Sequence, residues 1–429
     1  MFQTFRNAWK IPELKNRLLF TLAILVVYRL GSAIPVPFIT GSALNQMFSN
    51  GNMLSYLDMM SGGALSRCTL FALGVTPYIN ASIIVQLLTV AIPALENMAK
   101  EADGQQKMQQ ITRYVGGVIA LVMSLGYYFV IRNMGALKYV SGAVGVFAAV
   151  VIIATFVAGA QLITWAGEQI DDKGIGNGIS MILFAGIVSG LPNAVTYFVS
   201  LCKENLANIG FVLLAIVIFI AMVWFVIMMT NAERRIPVQY AKRVVGRKMY
   251  GGQSTHIPIK VAMSGVMPII FAMSLMSLPQ TILFFFGING TGDTFWDGFV
   301  RLFSQSSPLY AVIYFLLIIA FNYFYVSIQY NPVEIANNLK KNNGAIPGYR
   351  PGKPTSDFIY NSLNKITLIG AIFLGIVAIF PIILALCVPS LQGISIGGTT
   401  ILIVVGVALE TVRSLESQIM MRHHPGFLD

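Results

Sequence analysis

Apolar residues recur along this chain in ten long segments, separated by shorter polar stretches. Each segment has roughly the 20 residues that an α-helix needs to cross the hydrocarbon core of a bilayer. The pattern therefore predicts an all-α integral membrane protein with ten transmembrane helices. The predicted spans are 18–38, 74–92, 114–131, 146–166, 179–199, 209–230, 261–287, 308–328, 366–388 and 397–412.

One apolar stretch, Met53–Val90, is too long for a single span, and no polar loop divides it. Gly62-Gly63 and Pro77 interrupt it instead. Non-helical backbone at membrane depth is tolerated only where protein encloses it or where it lines a cavity. We therefore predict a re-entrant half-helix over about Met53–Leu70, a bend, and a true span over about Gly74–Ile92. A half-helix folded into the middle of a bundle could act as a stopper.

Composition supports a membrane protein of the helical kind. The chain is 56% hydrophobic and 10% charged, with a mean hydropathy of +0.73, whereas soluble domains carry about 25% charged residues. Segments near 20 residues differ from the alternating ten-residue strands of a membrane β-barrel. Three scattered cysteines predict neither a disulfide framework nor a CxxC metal site, and we expect no cleavable signal peptide.

The basic residues predict how the chain is oriented. With the N-terminus inside, 22 of the 28 lysines and arginines fall in inside segments, which predicts that both termini are cytoplasmic. Ten spans divide into five and five, and an odd-numbered half enters and leaves on opposite sides, so two related halves would be inverted repeats. The predicted regions are an N-terminal segment 1–17, a first half 18–200, an outer hinge loop 201–208, a second half 209–412 and a tail 413–429.

Two inside loops, 231–260 and 329–365, are far longer than topology requires. In the first, alternation at Ile236, Val238 and Tyr240, with glycine turns nearby, predicts a strand pair with a positive tip. The second opens on Asn331-Pro332-Val333-Glu334, a good helix start, and predicts a short helix to Lys341.

The positive charge of these loops has more than one interpretation. It could simply keep the loops inside, or attract anionic lipid at about 1 kcal/mol per basic residue. Long ordered loops are usually functional, so docking of a large cytoplasmic partner is the sharper hypothesis. That partner would be acidic or carry nucleic acid, and ribosomal RNA would suit a positive tip because phosphate contacts dominate such affinity.

The sequence offers little enzymatic or ion-coupling chemistry. Pumps and carriers usually hold Asp, Glu or His within their spans, but here Glu168, Asp171 and Asp172 are predicted in a loop. No P-loop, HExxH or GxSxG motif occurs, and the Gly174–Gly178 stretch is predicted to be a turn and helix start. We expect no enzyme activity and no cofactor. A metal site at His423-His424 lacks further ligands.

The spans carry aliphatic pairs at helical spacing instead. Ile79 and Ile83 share one helix face, as do Ile179 and Leu183. By spacing alone such residues face lipid or pack against neighbours. If several of these faces met at one level, they would form a constriction that excludes water.

Long motifs carry a resemblance to a known family over essentially the whole chain. They are SGGALSR, FALGV and PYI-ASII-QLLTV within 61–90, GEQI and GIGNGIS within 167–180, ERRIPVQYAKR-VGR at 233–247, QSTHIPIKV--SGVMPIIFA at 253–272, NPVE-A-NLKK at 331–341, IPGYRPGKPT at 346–355 and GGTTILIVVG at 397–406. In these strings the chain resembles the SecY family, the central subunit of the bacterial protein-conducting channel.

The resemblance implies two inverted five-helix halves, spans 1–5 and 6–10, around an hourglass pore. It also implies a plug at about 53–71, with the positions Met59, Gly62, Gly63, Leu65, Arg67 and Phe71, and a ring of aliphatic side chains that closes the pore. Matching the motifs puts the ring on Ile79, Ile83, Ile179, Leu183, Ile270 and Ile403; position 183 is Leu where Ile is expected. Arg67 would set the electrostatics of the outer pore or simply snorkel or cap backbone.

The resemblance further implies a passive conduit for unfolded polypeptides that carry a signal sequence. Spans 2 and 3 would separate from spans 7 and 8 as a lateral gate that releases membrane segments into lipid. The SecA ATPase or the ribosome would drive transport, SecE would clamp the halves and SecG would bind peripherally. The implied docking positions are Lys242, Arg243, Arg247, Lys248 and Arg350, and the implied location is the bacterial plasma (inner) membrane.

Two alternatives stay open on the residues alone. A secondary transporter of small solutes needs a polar or charged site at the midplane, which an apolar waist with a plug would exclude. A non-transporting scaffold that recruits cytoplasmic factors predicts that deleting the plug leaves ion conductance unchanged.

Overall fold

The computed structural model describes residues 2–40, 61–101, 103–133, 135–140, 142–204, 206–240, 243–245, 248–250, 254–285, 295–296, 298, 307–387 and 398–422. Its helices are α1 (Phe2–Lys10), α2 (Pro12–Gly31), α3 (Thr76–Ala91), α4 (Pro93–Lys100), α5 (Gly104–Asn133), α6 (Gly142–Lys173), α7 (Gly178–Glu204), α8 (Leu206–Asn231), α9 (Met267–Phe285), α10 (Pro308–Gln329), α11 (Pro332–Lys341), α12 (Lys353–Cys387) and α13 (Gly398–Arg422). Its strands are β1 (Glu233–Tyr240), β2 (Arg243–Val245), β3 (Lys248–Tyr250), β4 (Ser254–Lys260) and β5 (Gly344–Ala345).

Each of the ten predicted spans overlaps one helix, in the order α2, α3, α5, α6, α7, α8, α9, α10, α12 and α13. Within the described residues, α5, α6, α8, α10 and α12 are long and apolar enough to cross a membrane. A sixth span is added if α3 and α4, which meet at a bend of 107°, count as one. Shorter apolar stretches are Gly178–Pro192 in α7 and Met267–Pro279 in α9. Each of these two helices contains a proline, Pro192 or Pro279, and continues beyond it.

Several helices continue beyond their apolar segments. α12 begins at Lys353 rather than at 366, so the last part of the predicted loop 329–365 is helical. Glu168 and Asp171 lie in the last turns of α6, so their predicted position in a loop is wrong. Glu, Gln, Lys and Arg are good helix formers in water, so loss of apolar character does not by itself end a helix.

The same pattern of helix neighbours occurs in both halves. In the first half, α3 packs against α5, α5 against α6 and α6 against α7, while α2 lies against α6 and α7. In the second half, α9 packs against α10, α10 against α12 and α12 against α13, while α8 lies against α12 and α13. Each pairing thus recurs five spans later, as two repeats of five helices would require. The halves meet where α7 contacts α8 and α13, and where α9 contacts α3 and α5.

Three strands, β1, β4 and β5, form one folded body with α11, which we call the sheet body. β1 lies between β4 and β5, antiparallel to both. Ile236 and Val238 of β1 are buried, whereas their neighbours Arg235 and Gln239 are exposed, so the alternation that predicted a strand pair is confirmed. β2 and β3 form a separate two-stranded ladder.

The predicted start of α11 is also confirmed. Asn331 is the N-cap: its Oδ1 accepts hydrogen bonds from the backbone N–H groups of Val333 (3.2 Å) and Glu334 (3.4 Å). Pro332 occupies the first helical position, where a missing N–H costs nothing.

Replacing Asn331 with alanine should weaken the first turn of α11 by about 1 kcal/mol, because the cap satisfies donors that have no intrahelical partner. The backbone amides of Val333 and Glu334 should then exchange hydrogen about fivefold faster, which a hydrogen-exchange experiment measures. Asn337→Ala, the same change on the exposed face of α11, is the control and should not speed exchange there. Equal exchange in both variants would show that the cap does not stabilise the helix.

Candidate pore and docking site

The six predicted ring residues come from four helices and are all buried, none more than 9% exposed. All six belong to one apolar cluster, which we call the central cluster and which lies where the two halves meet. The ring residues are Ile79 and Ile83 from α3, Ile179 and Leu183 from α7, Ile270 from α9 and Ile403 from α13. The structure therefore brings these side chains together, while their role as a pore constriction stays a prediction.

Two glycines position Ile179 at the start of α7. A Cβ on Gly178 would lie 2.0 Å from the carbonyl oxygen of Gly167, and a Cβ on Gly167 would lie 2.6 Å from the Cδ1 of Ile179. The end of α6 and the start of α7 can approach this closely only without side chains at these two positions. Asn177 caps α7, since its Oδ1 accepts a hydrogen bond from the Ser180 N–H at 3.0 Å. The predicted turn and helix start is confirmed.

Residues 61–75, which we call the re-entrant segment, precede α3 and consist of successive turns. The predicted half-helix therefore has a different conformation in its described part; residues 53–60, including Met59, lie outside the described residues. Gly62, Gly63 and Gly74 have positive φ angles of 70°, 77° and 55°, and Cys68 has φ 44°. A right-handed helix cannot run through backbone in the left-handed region, so these residues explain the difference.

Backbone and side-chain hydrogen bonds fasten the re-entrant segment to α2 and the chain that follows it. The Tyr28 hydroxyl donates to the Ser61 carbonyl oxygen at 3.2 Å. The Val36 N–H donates to the carbonyl oxygen of Cys68, and the Leu70 N–H donates to that of Ile34, each at 2.9 Å. The segment is thus a docked part of the fold.

The base of the re-entrant segment packs directly on the central cluster. Phe71 and Val75 are members of that cluster, and the Phe71 ring stacks on Tyr28 with centroids 5.7 Å apart. A Cβ on Gly159 of α6 would lie 1.9 Å from the Leu70 carbonyl oxygen, so the segment also lies against the backbone of α6. The segment therefore covers one side of the cluster that contains the predicted ring.

The other predicted plug residues have different surroundings. Leu65 is buried with Cys68 in a second apolar cluster built mainly on α5 and α6. Gly63 has open space where a Cβ would stand, and Arg67 is exposed. An exposed Arg67 agrees with either interpretation of its charge.

Sequence reasoning missed the partners of Arg29 in α2. Its Nη1 donates to the Gly62 carbonyl oxygen at 3.0 Å and to the Ser189 Oγ at 3.1 Å. One guanidinium therefore joins span 1, the re-entrant segment and span 5. An arginine inside an apolar span is a signal that could have pointed to this contact, although its partners are far away in the sequence.

The sheet body unites the two long loops, which sequence reasoning had treated separately. Side chains from both loops share one apolar core, and β1 pairs with β5 through Gln239↔Ala345 and Tyr240↔Gly344. The core contains Ile236, Val238, Ile259, Ala336, Leu339, Ile346, Ile359, Leu363 and Ile366. The available signals were the alternating apolar positions of β1 and the helically spaced ones of α11.

The predicted docking residues lie on both long loops. Arg243 lies in β2 and Lys248 in β3, and Arg350 is exposed between glycines with positive φ, Gly348 and Gly352. Lys242 and Arg247 lie outside the described residues. The carbonyl oxygen of Arg350 accepts a hydrogen bond from the Thr355 hydroxyl at 2.8 Å, which fixes the backbone but leaves its guanidinium exposed.

Charged groups near the base of the sheet body influence one another. The Arg235 Nε donates to a Glu233 carboxylate oxygen at 2.8 Å and holds the pKa of that carboxyl below its usual value. Partial burial, with the positive charge of Arg413 as the next cause, lowers the pKa of the Lys260 ammonium. Arg413 also donates to the carbonyl oxygen of Thr230 at 2.9 Å, which ties α13 to the end of α8.

Within the ranges that the structure describes, no group of three or more potential metal ligands is present. His423 and His424 lie outside those ranges. The described carboxylate Glu168 forms an ion pair with Arg113, which joins α5 and α6.

The fold and the site together define a multi-pass α-helical membrane protein, in which a re-entrant segment lies on an apolar cluster between two five-helix halves. The profile of the SecY family matches residues 69–412. Two relatives, both named protein translocase subunit SecY, come from Streptomyces scabiei and Mycobacterium tuberculosis. Each is 41% identical to this chain, with 100% of both chains covered. The chain belongs to the SecY family, which confirms the resemblance and the expectation of a non-enzymatic protein.

Solved structures confirm the predicted fold class. A structure of a protein conducting channel matches with a TM-score of 0.67 at 18% identity, and a SecY structure concerned with the plug domain and the closed state matches with 0.68 at 19%. Sec61 in a canine ribosome-channel complex matches with 0.64 at 18%. In each case 97% of this chain and 95% of the other chain are covered.

Proposed function

We propose that this chain is the pore subunit of a protein translocase. It passes unfolded secretory polypeptides through the membrane and releases membrane segments sideways into lipid. The observation that supports the proposal is the central cluster, which contains the predicted ring residues of four helices together with Phe71 and Val75 of the re-entrant segment. Family membership supports the same function.

The closed pore would be sealed in two layers. Ile79, Ile83, Ile179, Leu183, Ile270 and Ile403 form the constriction, which excludes ions and water because an apolar passage of this kind dewets. The plug, proposed at about 53–71, covers the constriction from the outer side. In the described part of the segment, Phe71 and Val75 lie in the same apolar cluster as the proposed ring, which suits a seal that must fit around chains of any sequence.

The lateral gate would open between spans 2 and 3 on one side and spans 7 and 8 on the other. The contacts of α9 with α3 and α5 support a gate between these helices. A signal sequence would intercalate between these helices and reach lipid, because its apolar side chains gain more there than in water.

The driving force would come from a partner at the sheet body. Lys242, Arg243, Arg247, Lys248 and Arg350 would contact the SecA ATPase or the ribosome, including its RNA, to which basic side chains bind through phosphates. SecE would clamp the two halves, 18–200 and 209–412, and SecG would bind peripherally. The chain would lie in the bacterial plasma (inner) membrane with both termini in the cytoplasm, as its basic residues favour.

Transport into vesicles tests the proposal. The chain, reconstituted with SecE and SecG and supplied with SecA and ATP, should move a signal-bearing precursor to a protease-protected lumen. The same precursor without its signal sequence is the control and should stay outside. An assembled complex that protects neither precursor would contradict the proposed function.

A further inference from the structure

We propose that Arg29 is the positioning residue that holds the re-entrant segment in its closed position, with the Gly62 carbonyl and the Ser189 hydroxyl as its receptor. We call these three residues the latch. This inference rests on the proposed role of the segment as a plug. It adds a specific contact that links plug position to the packing of spans 1 and 5.

The first argument is the geometry of one nitrogen atom. Nη1 of Arg29 lies 3.0 Å from the Gly62 carbonyl oxygen and 3.1 Å from the Ser189 Oγ, so it contacts both at hydrogen-bonding distance. The Ser189 hydroxyl donates its own proton to the Gly186 carbonyl oxygen at 2.6 Å. The hydroxyl oxygen therefore faces the guanidinium as an acceptor, and its orientation is set by α7.

The second argument is the shape of the receptor. Gly62 has a positive φ of 70°, and a Cβ there would lie 2.9 Å from the Ser189 Oγ and 3.3 Å from the Arg29 Nη1. Only a glycine lets the carbonyl of residue 62 approach both groups in this backbone conformation. The contact therefore requires all three residues, Arg29, Gly62 and Ser189.

The third argument is that the positive Arg29 guanidinium is bound by neutral acceptors. Within the described part of the chain, no ion pair joins Arg29 to a carboxylate. A guanidinium held by neutral acceptors forms charge-assisted hydrogen bonds without the strong attraction of a buried ion pair. Arg29 is already exposed in this fold, so water can replace the two acceptors when the segment leaves. Such a contact can therefore be broken during each opening and formed again on closing.

Tyr28, the residue before Arg29 in α2, also binds the re-entrant segment. Tyr28 donates to the Ser61 carbonyl oxygen and stacks on Phe71, so it contacts the re-entrant segment at two separate positions. Arg29 differs from Tyr28 in that it also reaches α7. The Arg29 contact therefore depends on the distance between spans 1 and 5, whereas the Tyr28 contact does not.

The test uses the full chain in the complex with SecE and SecG in vesicles, and measures resting efflux of a trapped halide. Arg29→Met keeps a long unbranched side chain but removes the guanidinium and its hydrogen bonds, so efflux should rise about tenfold. Gly62→Ala should have a similar effect, and the double variant should leak no more than either alone. Arg132→Met removes a charge from an exposed arginine at the end of α5 and should leave efflux unchanged.

Deleting residues 58–71 separates this inference from the proposed function. If the latch acts through the plug, Arg29→Met should add nothing to the leak of the deletion variant. The latch is wrong if Arg29→Met leaves efflux at the wild-type level, or if it multiplies the leak equally with and without the plug. A deletion variant that does not leak at all would instead contradict the plug itself.

Discussion

Replacing Ile79 and Ile83 together with serine should raise the resting ion leak of the reconstituted complex at least tenfold. Both side chains are buried in the central cluster together with the other proposed ring residues. Their apolar surface makes a water column at this level unfavourable, and hydroxyl groups would offer that water hydrogen bonds. A tenfold change needs only about 1.4 kcal/mol, less than the apolar burial that two isoleucines lose.

Two controls separate loss of the seal from general loosening. Ile79→Val with Ile83→Val shortens the same side chains but keeps them apolar, and should leave the leak within about twofold of wild type. Ile152→Ser puts a hydroxyl into the second apolar cluster, at a residue that is 0% exposed, and should reduce assembly without a specific leak. If Ile152→Ser leaks as much as the double serine variant, the central cluster has no special role as a seal.

Replacing Arg350 with glutamate should lower SecA-driven transport of a precursor about tenfold or more while the amount of assembled complex stays unchanged. The side chain is exposed, and the fold needs only its backbone, which Thr355 holds. Loss of a charge-assisted contact to a partner costs about 1.5–3 kcal/mol, and the reversed charge adds repulsion. Protease protection of the precursor and the yield of purified complex measure the two effects separately.

Arg234→Glu is the matched control for Arg350. It makes the same change of charge at an exposed position of the same sheet body, on β1 opposite Ile259 of β4. Transport should fall much less, because a specific contact depends on position whereas general attraction depends only on total charge. Equal losses in the two variants would favour the simpler interpretation of the loops as positive surface.

Much of the fold was predictable because a bilayer constrains a chain more strongly than water does. Each apolar segment has to become a helix, since unpaired backbone groups are too costly in hydrocarbon. The ten segments were therefore found, but their ends were not: α12 starts at Lys353 and α6 includes Asp171. An apolar segment indicates which residues lie in the membrane, but the helix that contains it can extend beyond the membrane into water.

The candidate site was predictable only in part. Helical spacing paired Ile79 with Ile83, but nothing in the spacing brings Ile270 or Ile403 to the same place. Family resemblance supplied that convergence, and the tertiary structure supplies the cluster. The interrupted stretch after Met53 was correctly predicted to re-enter the bundle, yet its described backbone forms turns where a half-helix was expected, because Gly62, Gly63 and Cys68 adopt positive φ.

The sequence by itself determined that this is a helical membrane protein with ten apolar segments, a re-entrant stretch and two structured loops. These features depend on local properties, such as apolar length, turn residues and helix caps, which neighbouring residues specify. Only the tertiary structure decided which side chains meet: the central cluster, the shared core of the sheet body, and the contact of Arg29 with Gly62 and Ser189. Such contacts join residues far apart in the chain, and close approach of backbones at glycines makes them possible.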